Sequence, residues 1–193
     1  MKVNRSLIVI LLAVLLAGSA FLTLTMIDFD STPPLDGGYN LTVIDREKNE
    51  HTFSLNDLVH FPKAEGFSSY ENQFNNWRGY GYYRGVNLID LINEVGGMSE
   101  HGYLTFEASD DYSINISYAN IFPNETTYSF QGSCVLAYSY NSSYPPDWDE
   151  GYRLVFLPED EGFSNDDLIN STNLIDYSAG SLWIQKVVKI FIN

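Results

Sequence analysis

Apolar residues in this chain fall in short alternating or clustered runs, broken by Gly, Pro, Asn and Asp, after one long apolar block at the start. The run LTVIDREKNEHTFS, residues 41–54, alternates on either side of a polar centre and predicts a hairpin turning at Lys48 and Asn49. Ser54 stands where an N-cap belongs, and LNDLVHF predicts a short helix that Pro62 ends. The stretch GFSSYENQFNNWRGYGYY, residues 66–83, is rich in Tyr, Asn and Gly and predicts a strand running into a long loop. In GVNLIDLINEVGG, Leu88, Leu91, Ile92 and Val95 recur at helical spacing, and Gly96 and Gly97 stop the helix.

Beyond that helix, YLTFEAS predicts a strand, DDYSINISYANI a turn into a second strand with a helical turn, and SCVLAYSYN a buried strand. RLVFLP and WIQKVVKIFI predict the last two strands. Between them, residues 159–181 (EDEGFSNDDLINSTNLIDYSAGS) are polar and acidic and predict a surface loop. Roughly seven strands with scattered short helices, and no regular helix–strand alternation, give a single α+β domain built on one mixed sheet.

The opening block, residues 7–27, carries no charge. At about 1.5 Å per residue, a run of about 20 apolar residues crosses a bilayer core, which predicts an N-terminal transmembrane helix. Gly18 and Ala20 would also allow cleavage as a secretory signal, but the apolar run continues past them and favours a retained signal anchor. Lys2 and Arg5 precede the block while Asp28 and Asp30 follow it, so the remainder is expected outside the cytoplasm. The predicted organisation is a signal anchor at 1–27, a Pro- and Gly-rich spacer at 28–39, and an extracytoplasmic domain at 40–193.

The net charge of −15 repels nucleic acid and anionic headgroups, so nucleic acid is not an expected partner. A single cysteine, Cys134, rules out an intrachain disulfide framework. Five N-x-[ST] sequons, at Asn40, Asn115, Asn124, Asn141 and Asn170, agree with export of a glycoprotein.

The three histidines, His51, His60 and His101, form no metal-binding spacing, and no G-x-S-x-G elbow occurs. Acidic groups around Asp147, Asp149 and Glu150 and from Glu159 to Asp167 supply oxygen ligands but lack the pattern of a calcium loop. The segment 72–84 is richer in chemistry, crowding Asn72, Asn75, Asn76, Trp77, Arg78, Tyr82, Tyr83 and Arg84 in a chain with few basic residues. Arginine forks, amides and flat aromatic faces suit a phosphorylated or heterocyclic ligand. Composition alone favours the plainer reading, in which Trp77 and the tyrosines cover a small core while the arginines pair with surplus acids.

The order of GVNLIDLI, ASDDYSINI, VLAYSYN, GYRLVFLP and WIQKVVKIFI resembles the molybdopterin-binding domain of sulfite oxidase-type oxidoreductases over nearly all of residues 41–192. That resemblance implies the family's fold, molybdopterin as a cofactor, oxygen-atom transfer, and a pocket lined here by Asn72, Asn76, Arg78, Tyr83, Arg84, Asp110 and Tyr112. Two departures accompany it. The loop after the RLVFLP strand is long, and the metal-binding cysteine that the family places upstream of its G-V-x-L turn has no counterpart before Cys134. Three functions follow: a membrane-anchored molybdopterin oxidoreductase working with a redox partner, a non-catalytic cell-surface module for a ligand or partner, or a glycan-binding surface around Trp77–Tyr83.

Overall fold

The computed structural model describes residues 38–172 and 174–193. The apolar block expected to form the anchor, and most of the spacer, lie outside those residues. No helix among the described residues is long and apolar enough to cross a membrane.

Strand β1 (Asn40–Ile44) and strand β2 (Glu50–Ser54) form the expected antiparallel hairpin. Its turn is held by Asp45, whose carboxylate accepts from Glu47 N, Asn49 N, the Asn49 amide and the His51 ring. Helix α1 (Leu55–Leu58) starts at Ser54 in a full capping box with Asp57, so the cap read in the sequence is present. Helix α2 (Leu88–Glu94) is capped by Asn87 and buries Leu88, Leu91 and Ile92, the stripe its spacing predicts.

The stretch expected to run from a strand into a long loop is instead a hairpin. Strand β3 (Lys63–Glu71) pairs antiparallel with the eleven-residue strand β4 (Trp77–Asn87). Asn72 closes the turn, its side-chain oxygen accepting from Phe74 N and Asn76 N. The glycines that read as loop signals serve close packing: a Cβ on Gly85 would strike the backbone of Leu136 and Ala137 on the neighbouring strand.

Strands β5 (Tyr103–Ala108), β6 (Ser113–Ser117), β7 (Ser133–Tyr140), β8 (Arg153–Leu157) and β9 (Val187–Ile192) complete the set. They form two sheets rather than the single one expected. A five-stranded sheet runs β2-β1-β9-β5-β6, with β1 and β9 parallel, and an antiparallel sheet runs β3-β4-β7-β8. Helix α3 (Tyr118–Ile121) is the helical turn expected after β6. Helices α4 (Glu125–Gln131), α5 (Asn165–Thr172) and α6 (Ala179–Leu182) were not foreseen, and the last two occupy the segment expected to be an open loop. Asn120 and Gln131 tie α3 to α4 by reciprocal amide hydrogen bonds of 2.7 Å, and the Asn120 amide also donates to the Ser171 carbonyl of α5.

One apolar cluster joins Leu41, Val43, Leu104, Phe106 and Ile190 of the first sheet to Val86, Val135, Leu154 and Phe156 of the second. Strand β7 is buried along nearly its whole length, which explains its unbroken apolar reading. Cys134 sits there, 1% exposed, as the core residue the sequence implied, and burial pushes its thiol well above the usual range.

Candidate functional site

Four segments meet around the first residue of β8, Arg153: the end of β3 at Tyr70, the turn after β5 at Asp110 and Tyr112, the acidic turn at Glu150, and residues 180–185 ahead of β9. Between them lies a cavity of about 350 Å³ walled by Tyr70, Asp110, Tyr112, Arg153, Trp183 and Gln185, among others. Asp111 takes a positive φ of 68° in the turn, and Ala108 N donates to Tyr112 O, which fixes Asp110 and Tyr112 at the rim. The Tyr112 hydroxyl donates to the Ser181 carbonyl at 3.1 Å and ties that turn to the 180–185 segment.

Arg153 is 4% exposed. Its guanidinium carbon lies 5.2 Å from the Tyr70 ring centre and 5.5 Å from that of Trp183, and Nη1 donates to the Glu150 carboxylate. Burial is the strongest influence and opposes the charge, but Glu150 together with the Tyr83 and Tyr70 hydroxyls outweighs it and the guanidinium stays protonated. Behind it the Tyr83 ring packs 5.4 Å from Trp183, 5.0 Å from Tyr140 and 6.3 Å from Trp148. Burial raises the Tyr83 phenol far above its ordinary range, so it remains a donor, to Gly79 O at 2.5 Å. Within this aromatic box three buried N–H groups have no hydrogen-bond acceptor among the described residues: Arg153 Nε, Trp183 Nε1 and Trp148 Nε1.

The structure brings Asp110 and Tyr112 to the cavity wall and Tyr83 into the layer of rings behind it. It does not bring the other sequence-derived positions there. Arg84, next to Tyr83 on a strand whose side chains alternate, points to the opposite face and pairs with Glu65 at 2.6 Å. Asn72 and Asn76 build the hairpin turn, and Arg78 is exposed, donating to the Trp77 carbonyl. The residues the sequence reading passed over are Arg153, Glu150, Tyr70 and Trp183. One signal for them existed: a charged residue heading the otherwise apolar run RLVFL is buried only with a partner, and Glu150 three positions earlier supplies it.

Similarity to a solved structure joins this geometry. The sulfane dehydrogenase SoxCD from Paracoccus pantotrophus superposes with a TM-score of 0.56 at 16% sequence identity, covering 82% of this chain and 39% of that one. The chain shares the fold of the matched part of that protein. At this identity the likeness concerns the fold alone, and the chain spans well under half the length of that neighbour. No family model and no curated protein matches the sequence.

Whether the residues fit molybdopterin turns on the donor set. Molybdenum in the resembled family takes a cysteine thiolate, and the cavity wall holds neither cysteine nor histidine. Cys134 lines a separate hollow with Ile121, Phe122, Pro123 and Tyr128, protonated by burial. No group of three or more His, Cys, Asp or Glu side chains among the described residues could hold a metal ion. The residues therefore do not fit a protein-ligated molybdenum centre. What the arrangement can do is present a buried cation, flat rings and rim carboxylate and phenol groups to a small ligand.

Proposed function

We propose that this chain is a membrane-anchored, extracytoplasmic domain that uses a molybdopterin-oxidoreductase-like fold to bind a small anion-bearing heterocycle over Arg153, without catalysis by a protein-held metal. The buried guanidinium carries the reading. Leaving a buried donor unsatisfied costs about 1–3 kcal/mol, and Arg153 Nε and Trp183 Nε1, on two residues of the same cavity wall, have no acceptor among the described residues. An oxyanion on a ligand supplies acceptors, and the Tyr70 and Trp183 rings, which pack on each other with centroids 4.9 Å apart beside the guanidinium, supply flat apolar faces. The cavity, about 350 Å³, is of a size that holds a small organic molecule.

Export is supported by the apolar block at 7–27 and by the exposure of all five sequon asparagines, Asn40, Asn115, Asn124, Asn141 and Asn170. On this reading the domain faces outward, where its ligand or a cell-surface or redox partner meets it. Protease added to intact cells should then degrade the domain.

The deciding experiment is elemental analysis for molybdenum, pterin fluorescence and mass spectrometry of released small molecules, all on the full chain purified from its own host. The expected result is no stoichiometric molybdenum, with an anionic small molecule released from the parent and missing from Arg153→Leu. Stoichiometric molybdenum would overturn the metal-free reading, and a ligand retained by Arg153→Leu would remove the assignment to this cavity.

A further inference from the structure

The outward face of the β3–β4 hairpin carries aromatic rings that neither core nor cavity uses. Phe67, Trp77 and Tyr80 are 44, 49 and 59% exposed. Phe67 stacks on Tyr80 with centroids 5.8 Å apart and planes 15° from parallel, and meets Tyr82 edge-on at 5.1 Å from across the hairpin. The rings are anchored. The Tyr80 hydroxyl donates to the Glu161 carboxylate at 3.1 Å, and the Trp77 indole lies so close to Gly162 that a Cβ there would meet it at 2.9 Å.

Monomeric proteins seldom leave such a patch bare without a use for it, because contiguous exposed apolar surface favours association. The chemistry of this one narrows the occupant. Every large exposed apolar residue on β3 and β4 is aromatic, with no aliphatic side chain among them, so the surface offers flat faces on which an apolar C–H face can stack. Arg84 and Glu65 cancel each other beside the rings, and Glu161 leaves a carboxylate acceptor at their edge. A surplus of 25 acids over 10 bases repels an anionic polymer and a second copy of the chain alike. A neutral ligand with apolar C–H faces and many hydroxyl donors meets all of these conditions.

We propose that this face binds a neutral pyranose chain, with Phe67, Trp77 and Tyr80 as stacking rings and Glu161 accepting sugar hydroxyls. The site shares no lining residue with the Arg153 cavity, so it stands or falls independently of the ligand proposed there.

The test is calorimetric titration of the full chain, in a non-glycosidic detergent, with cellohexaose, xylohexaose, mannohexaose and chitohexaose. At least one should bind, and Trp77→Ala and Tyr80→Ala should each weaken it by about tenfold or more, as truncation of an aromatic hot spot does. Tyr80→Phe keeps the ring and should retain most of the affinity. Both truncated side chains are surface groups, and unchanged melting of the variants would show that they fold. Absence of binding to all four sugars at millimolar concentration overturns the proposal, as does binding that survives both truncations. A ring-dependent dimer of the chain would assign the patch to self-association and overturn it too.

Discussion

Replacing Glu150 by Gln removes the anion that faces the buried guanidinium. The Arg153 side chain is 5% exposed and that of Glu150 is 36% exposed, so the cation cannot rehydrate while its partner already touches water. Deleting one partner of a fully buried pair costs about 3–5 kcal/mol. Partial exposure of Glu150 screens the pair and lowers the figure here to about 2 kcal/mol. In a domain of this size each kcal/mol moves the midpoint by about 2–4 °C, so Glu150→Gln should melt about 4–8 °C below the parent. Arg153→Leu removes the buried charge and leaves Glu150 to solvent, so it should be the less damaged of the two. Circular dichroism melts of the full chain in detergent read both. A Glu150→Gln midpoint within about 1 °C of the parent, or the reverse order of the two variants, would refute the account of a desolvated cation held by one carboxylate.

Two further outcomes test the fold. The Asp45 carboxyl is held well below its usual range, first by the His51 ring and then by Asn49, so its stabilisation is present above the unfolded value of 3.8 and is lost as pH falls below it. Asp45→Asn should therefore melt lower than the parent at pH 7, with the gap closing in acid, and a gap independent of pH would contradict this. Gly132 ends α4 at φ 63° and ψ −151°, where a Cβ would collide with the Leu157 carbonyl of β8. Gly132→Ala should cost about 3 kcal/mol, seen as a lower urea midpoint at similar slope.

The elements the sequence made legible are those fixed by neighbours along the chain. The β1–β2 hairpin, the Ser54 cap and the α2 stripe each depend on residues within a few positions of one another. Strand β4 was not legible because its glycines answer to distant partners: Gly81 lies under the Tyr140 ring and Gly85 against the backbone of β7. Helices α4 and α5 had signals that went unread. Asn124 caps through Thr127 N, and Ser164 and Asp167 exchange the bonds of a capping box inside the segment taken for a loop. Polar composition hid them, because α5 buries only Leu168 and Ser171 against the domain. Of the site, the turn holding Asp110 and Tyr112 could be named from a local motif. Arg153 could not be joined to Tyr70 and Trp183, which are brought to it only by the pairing of β3, β4, β7 and β8 and by the return of the chain before β9.

That geometry also bounds the ligand's charge. Segment 72–84 offered two arginines for a phosphate, and the fold withdraws both: Arg84 is committed to Glu65 on the far face, and Arg78 lies in solvent. One cation remains at the cavity, already partnered by Glu150, with the Asp110 carboxylate on the same wall. A dianionic phosphate entering there would meet one half-neutralised guanidinium and the field of a carboxylate, and shedding its hydration would not be repaid. A singly charged carboxylate or sulfonate on a flat ring asks less: acceptors for the two free N–H groups of Arg153 and Trp183, and a ring face against Tyr70. The ligand favoured by these residues is therefore a monoanion, and raising its charge by one should weaken its binding to the parent but much less to Asp110→Asn, where the opposing carboxylate is gone.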